Sequence, residues 1–159
     1  MILAYLLLGS NLGDRATILH EARQYLNKTA GPVVAASGLY ETAAWGLEDQ
    51  PPFLNQALGI QTSLSPDQLL QVCLAAEQEA GRVRQVRWGA RTLDVDILLY
   101  GPEVVTLPDL QIPHPRLPER RFALAPLAEI AGSAVHPTVQ QTIAGLLADC
   151  PDQLAVRRL

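Results

Sequence analysis

Lysine is nearly missing from this chain: of twelve Lys and Arg residues, only Lys28 is a lysine. The cations are also outnumbered by sixteen acidic residues, giving a net charge of −4 and a pI near 5.3. That balance excludes a general binder of nucleic acid or other polyanions. Cysteine is scarce too. Cys73 and Cys150 are far apart with no metal-ligand spacing, which predicts reduced thiols and points to the cytoplasm. No apolar run approaches the roughly 20 residues that a membrane helix needs. The apolar stretch 2–8 lacks a basic flank and runs into Gly9-Ser-Asn, so it reads as a strand and not as a leader. The chain has no Gly-x-x-x-x-Gly-Lys-Ser/Thr loop, no protein-kinase signature set and no dinucleotide fingerprint. A nucleotide, if one is bound, has to be held by other means.

What is present is an apolar, modestly charged chain of 159 residues, enough for one domain, expected over 1–159, with a real core. Ile2–Leu8 is apolar on both faces, which predicts a strand covered from both sides. Asp14 is a suitable N-cap for a helix carrying Ile18, Leu19, Ala22 and Leu26, ended by Gly31-Pro32. Strands are predicted over 33–40 and 53–62. Ser65-Pro66 opens a second helix that Gly81 stops, and a further strand is predicted over 92–100. The order β-α-β-β-α-β predicts an α+β, ferredoxin-like core. Two more apolar-periodic helices, predicted over 120–130 and 142–154, would cover part of the sheet's second face, making three α-β-α layers. Two long connections interrupt this economy, 41–52 and 81–91. Long polar connections within a small domain are often functional.

The sharpest local pattern is Asp94-Val-Asp96. Residues i and i+2 of a strand share a face, so both carboxylates point one way, about 6.6 Å apart along the chain. Leu93, Val95, Ile97 and Leu99 are expected to point oppositely, into the core. At that separation the charges repel by roughly 2–3 kcal/mol at an effective dielectric near 20. The pattern alone admits two readings: a solvated face paired with arginines, or a site for Mg²⁺, which binds through one or two carboxylates plus substrate phosphates. The same face continues into Leu98 and Tyr100, unlike a solvated one.

Seven arginines fall within 82–121, and arginine is the bidentate choice for phosphate. Arg82, Arg84, Arg87 and Arg91 stand just upstream of the aspartates, either as a polyphosphate clamp or as a solvated loop pairing with Glu77 and Glu79. His114 is fixed between two prolines and followed by Arg116, Arg120 and Arg121. It suits phosphate contact, or a loop histidine bonded to its own backbone. Phe53 and Phe122 are two of only eight aromatics. Asn55, on the face of Phe53, is an odd core residue unless a hydrogen bond needs it.

These stretches, together with Gly9-Ser-Asn-Leu-Gly13, Tyr40-Glu-Thr42, Trp45-Gly46, Arg87-Trp-Gly89, Arg91-Thr-Leu-Asp-Val-Asp-Ile97 and Pro113-His114, resemble the 6-hydroxymethyl-7,8-dihydropterin pyrophosphokinase family of folate biosynthesis. They occur in family order over most of the chain. The resemblance implies pyrophosphoryl transfer from ATP to the pterin hydroxymethyl group, with release of AMP. It implies Asp94 and Asp96 as ligands of two Mg²⁺ ions, and Arg82 and Arg91 as catalytic partners. Glu77, Arg82, Arg84, Arg87, Trp88, Arg91, Ile97, His114 and Arg120 would form the ATP site. Phe53 and Phe122 would stack on the pterin, with Thr42, Ala43, Trp45, Asn55 and Asp94 around it. Both long connections would act as lids. The chain departs from common family residues at Ala43-Ala44, Ala90, Asp109 and Gln111. A monomer acting on small molecules, without nucleic acid or membrane, is expected.

Overall fold

The computed structural model describes residues 1–42, 51–81 and 92–159. A six-stranded antiparallel sheet lies at its centre. β1 (Ile2–Ser10) runs between β4 (Phe53–Thr62) and β5 (Asp94–Tyr100). The far edge of β4 is covered by two pieces of one interrupted strand, β2 (Val33–Ala36) and β3 (Tyr40–Thr42). This is the predicted β-α-β-β-α-β order, with the 33–40 stretch broken where Ser37 turns its backbone and hydroxyl toward Ala57.

Helices α1 (Arg15–Thr29) and α2 (Pro66–Gly81) pack on one face. Each starts as the sequence predicts. Asp14 accepts from the Thr17 N–H, while Ser65 and Gln68 exchange side-chain bonds with each other's backbone N–H. Helices α3 (Arg121–Ala131) and α4 (Ile143–Ala148) cover part of the other face. Leu6 and Leu8 enter the first core and Leu7 the second, which is why β1 is apolar over 2–8. The two thiols fall on opposite sides, Cys73 in the first core and Cys150 in the second.

Three expectations are corrected. The helix predicted over 142–154 ends at Ala148, because Pro151 disfavours a helical residue before it. The chain instead forms β8 (Val156–Arg158), which pairs with β3 and extends the sheet. A hairpin of β6 (Val105–Leu107) and β7 (Leu110–Ile112), turned at Pro108-Asp109, was not foreseen. The third correction lies in β5. Tyr5 pairs with Leu99 but Leu6 with Ile97, leaving Leu98 as the extra residue of a bulge. Val95 and Ile97 face the first core as expected, but Leu99 joins Leu98 in the second and Tyr100 turns to the first. There the Tyr100 hydroxyl donates to the Leu64 carbonyl.

Glu129 of α3 ties the β8 edge down. It accepts from the Tyr40 hydroxyl at 2.6 Å, the Gly38 N–H and the Arg158 guanidinium. The Arg158 bond holds its carboxyl below the ordinary value of about 4.5, against the opposing effect of burial. A carboxylate depressed by folding stabilises above its unfolded pKa, and that contribution disappears as pH falls through the folded value. Glu129→Gln is expected to cost about 1 kcal/mol at neutral pH, after allowance for its partial exposure. It should also flatten the fall in melting temperature below pH 4.5, read from thermal melts between pH 3 and 7.

Candidate active site

α3 and α4 leave one end of the sheet open, and there the register lines up a row of residues on a single face. Asp94 of β5 stands opposite Gly9 of β1, Gly9 opposite Asn55 of β4, and Asn55 opposite Tyr40 of β3. With strands about 4.8 Å apart, Asp94 and Asn55 are separated by about 10 Å. Gly9, between them, contributes no side chain. A cleft opens over it, walled by Asp94 and Asp96 on one side and by Asn55, Thr42 and Phe53 on the other. Leu7 lies in its floor, and Phe122 and Arg120 close it from the start of α3. The aspartates therefore do share a face, as their spacing predicts.

The polar groups of this cleft are held firmly. Asn55 is 3% exposed and its amide donates toward the Thr42 hydroxyl at 3.5 Å. A Cβ on Gly9 would lie 2.6 Å from the Asn55 amide oxygen, so the amide occupies room that only glycine leaves. Phe53 is set by the turn after β1. The Asn11 amide donates to the Pro51 carbonyl and the Arg15 guanidinium to that of Pro52. Arg15 and Arg157 both pair with Glu41, which steadies the strand carrying Thr42. The Arg120 guanidinium lies 5.5 Å from the centre of the Phe122 ring.

A second groove runs along the outer edge of β5, lined by Leu70, Val95, Ile97, Asp109, Gln111 and His114. Asp96 lines this groove as well as the first cleft. The Val95 N–H points outward and donates to Glu77 at 2.8 Å. Two residues along, the Ile97 N–H shares that edge by the alternation of an antiparallel strand. The Leu98 carbonyl accepts from the His114 N–H, which fixes the histidine beside Asp96. Its Nδ1 accepts from the Arg116 N–H, so a neutral ring carries its proton on Nε2. Burial pushes the His114 pKa below the ordinary value, Asp96 pulls it up, and Arg120 and Arg116 push it down. Cys73, behind β5, has a thiol pushed up to about 12 chiefly by burial, which removes it as a nucleophile.

Of the residues expected at the site, Thr42, Phe53, Asn55, Asp94, Asp96, Arg120 and Phe122 converge on the first cleft, and Ile97 and His114 on the groove. Glu77 supports β5 from α2. Ala43, Trp45, Arg82, Arg84, Arg87, Trp88 and Arg91 lie outside the described residues. Leu7 and Gly9 were missed as lining residues. The Gly9-Ser-Asn motif reads as a turn, yet Gly9 and Ser10 still belong to β1. Its signal was a glycine two residues along the strand from Leu7, on the face of the aspartates.

Among the described residues no three His, Cys, Asp or Glu side chains cluster as metal ligands. Two carboxylates on one strand face, with no third such ligand among the described residues, suit a hard cation that completes its shell with substrate oxygens and water.

A family model for 7,8-dihydro-6-hydroxymethylpterin-pyrophosphokinase (HPPK) matches residues 5–132. The 2-amino-4-hydroxy-6-hydroxymethyldihydropteridine pyrophosphokinase of Bacillus subtilis is 51% identical over 129 residues, which are 80% of this chain and 77% of that one. Its namesake from Methylorubrum extorquens is 48% identical over 149 residues, 92% and 94% of the two chains. In fold, the wild-type Plasmodium falciparum HPPK-DHPS crystallised with SDX-DHP is similar over 94% of this chain, with a TM-score of 0.71 at 17% identity. The chain spans 43% of the length of that larger protein.

Proposed function

The chain belongs to the 7,8-dihydro-6-hydroxymethylpterin-pyrophosphokinase family, and from that premise we propose how its residues perform the transfer. It is a pyrophosphokinase of folate synthesis. ATP is the donor and 6-hydroxymethyl-7,8-dihydropterin the acceptor. The hydroxymethyl oxygen attacks the β-phosphorus in line, the bond from that phosphorus to the α-phosphate oxygen breaks, and AMP leaves.

One observation carries this reading: Asp96 lines both a ring-sized cleft and a neighbouring edge-strand groove, as the junction between two substrates has to. In the cleft the pterin stacks between Phe53 and Phe122. Offset stacking on each ring adds about 0.5–1.5 kcal/mol beyond the area buried. Asn55 offers a carbonyl oxygen and an amide to the amino-pyrimidine edge, and its burial makes a mismatched ring costly. In the groove the adenine lies against the β5 backbone at Ile97, and the phosphates run toward Asp96 past the His114 Nε2 proton. Arg120 closes the cleft beside the phosphates. Arg82, Arg84, Arg87, Trp88 and Arg91 complete the clamp as the family resemblance implies. Two Mg²⁺ ions held by Asp94 and Asp96 would neutralise charge on the phosphates and align them. The protein acts as one domain over 1–159, as a monomer in the cytoplasm.

The test is product identity. Chromatography of a reaction containing ATP, Mg²⁺ and the reduced pterin alcohol should show AMP and pterin diphosphate in equal amounts. ADP as the product would overturn the reading.

A further inference from the structure

We propose that Asp152, in the tail after α4, is a positioning residue for the ring-binding wall. It caps the start of α3 from a distance and thereby fixes Phe122 against the cleft. The inference rests on the pterin reading above. α3 begins with a defect. A helix start leaves backbone N–H groups without intrahelical partners, and a side-chain oxygen at the N-cap normally takes one of them. The N-cap residue here is Arg120, which makes no such bond. A second bond is missing one turn on. Residue 126 is proline, so no N–H reaches back to the Phe122 carbonyl, the partner that an interior helical residue would have had. Within α3 the Arg120 carbonyl accepts from the Ala123 and Leu124 N–H groups, but the Arg121 N–H and the Phe122 carbonyl have no partner in the helix itself.

The tail supplies what the helix lacks. One Asp152 carboxylate oxygen accepts from the Arg121 N–H at 3.1 Å, across 31 residues of sequence. The other accepts from the Leu154 N–H at 3.0 Å, and the Asp152 carbonyl accepts from the Arg121 guanidinium at 3.0 Å. Asp152 is buried, so these bonds do not compete freely with water, and its charge sits at the positive end of the helix. Four residues later the same tail becomes β8, where Val156 pairs with Thr42. One segment therefore braces both walls of the cleft, Phe122 on α3 and Thr42 on β3, while it lines no part of the β5 groove.

That separation makes the role testable by steady-state kinetics on the full chain, varying pterin and ATP in turn. Asp152→Ala should raise the KM for the pterin about tenfold, the loss expected from one cap, with a smaller rise in the KM for ATP, which meets this end of α3 through Arg120. Adding Pro126→Ala to that variant restores an N–H beneath the Phe122 carbonyl and should recover much of the lost pterin affinity. A folded Asp152→Ala protein with unchanged pterin KM would overturn the proposal. So would parallel rises for pterin and ATP, the pattern of a merely structural residue. Should the alanine variant melt below the assay temperature, Asp152→Asn gives the same comparison at smaller amplitude, because one accepting oxygen remains. A wild-type chain that formed no AMP would instead sink the functional reading, so the two failures are distinguishable.

Discussion

Asp96→Ala should lower kcat/KM by about a thousandfold or more while leaving the melting temperature unchanged or slightly raised. The activity loss follows from its place. Among the described residues it is the side chain common to both clefts. A carboxylate does not itself steady negative charge on phosphate, so its contribution would come through the Mg²⁺ it would hold, and losing one source of transition-state charge stabilisation typically costs about 10²–10³ in rate. The stability effect has the opposite sign because Asp94 and Asp96 carry like charges on one face of β5, and alanine relieves the repulsion. Asp94→Ala should separate from it kinetically. Asp94 lines the ring cleft but not the groove, so its loss should raise the pterin KM more than the ATP KM, whereas Asp96→Ala affects both. A retained rate in either variant, or unfolding in both, would refute the assignment of the pair.

The second large effect concerns the other wall. Asn55→Ala is expected to raise the pterin KM about a hundredfold, with ATP binding little changed. Two hydrogen bonds to a buried amide, each worth about 1.5 kcal/mol, account for that factor. Gly9→Ala reaches a similar end without removing a polar group. Its Cβ would sit 2.6 Å from the Asn55 amide oxygen, so the amide has to move out of register with the substrate, costing at least about tenfold. Titration of the pterin alcohol in the presence of a non-hydrolysable ATP analogue and Mg²⁺ measures both. Normal pterin affinity in Gly9→Ala would show that the Asn55 amide does not read the ring.

How far the sequence could be read depended on the range of the physics involved. Element order was legible because it rests on local periodicity and caps, and Asp14 and Ser65 mark their helices within three residues of the groups they satisfy. The shared face of Asp94 and Asp96 was legible for the same reason, the strict two-residue period of a strand. That period failed at Leu98, since a bulge is a mismatch between two strands and neither strand shows it alone. Leu99 and Tyr100 were assigned to the wrong sides in consequence. Pro151 is a local signal against a helix reaching 154, and it outweighs the apolar periodicity of that stretch. β8 and the Asp152 cap depend on partners 31 or more residues away. No spacing rule finds them.

The placement of the two cysteines has a practical corollary. Because one central sheet separates Cys73 from Cys150, oxidation within the native chain cannot join them. Each sulfur is inaccessible to modifying reagents until its own side of the interior opens. Labelling rates, followed cysteine by cysteine with mass spectrometry, thus give two independent clocks. One times the loosening of the layer formed by α1 and α2, the other that of the layer formed by α3 and α4.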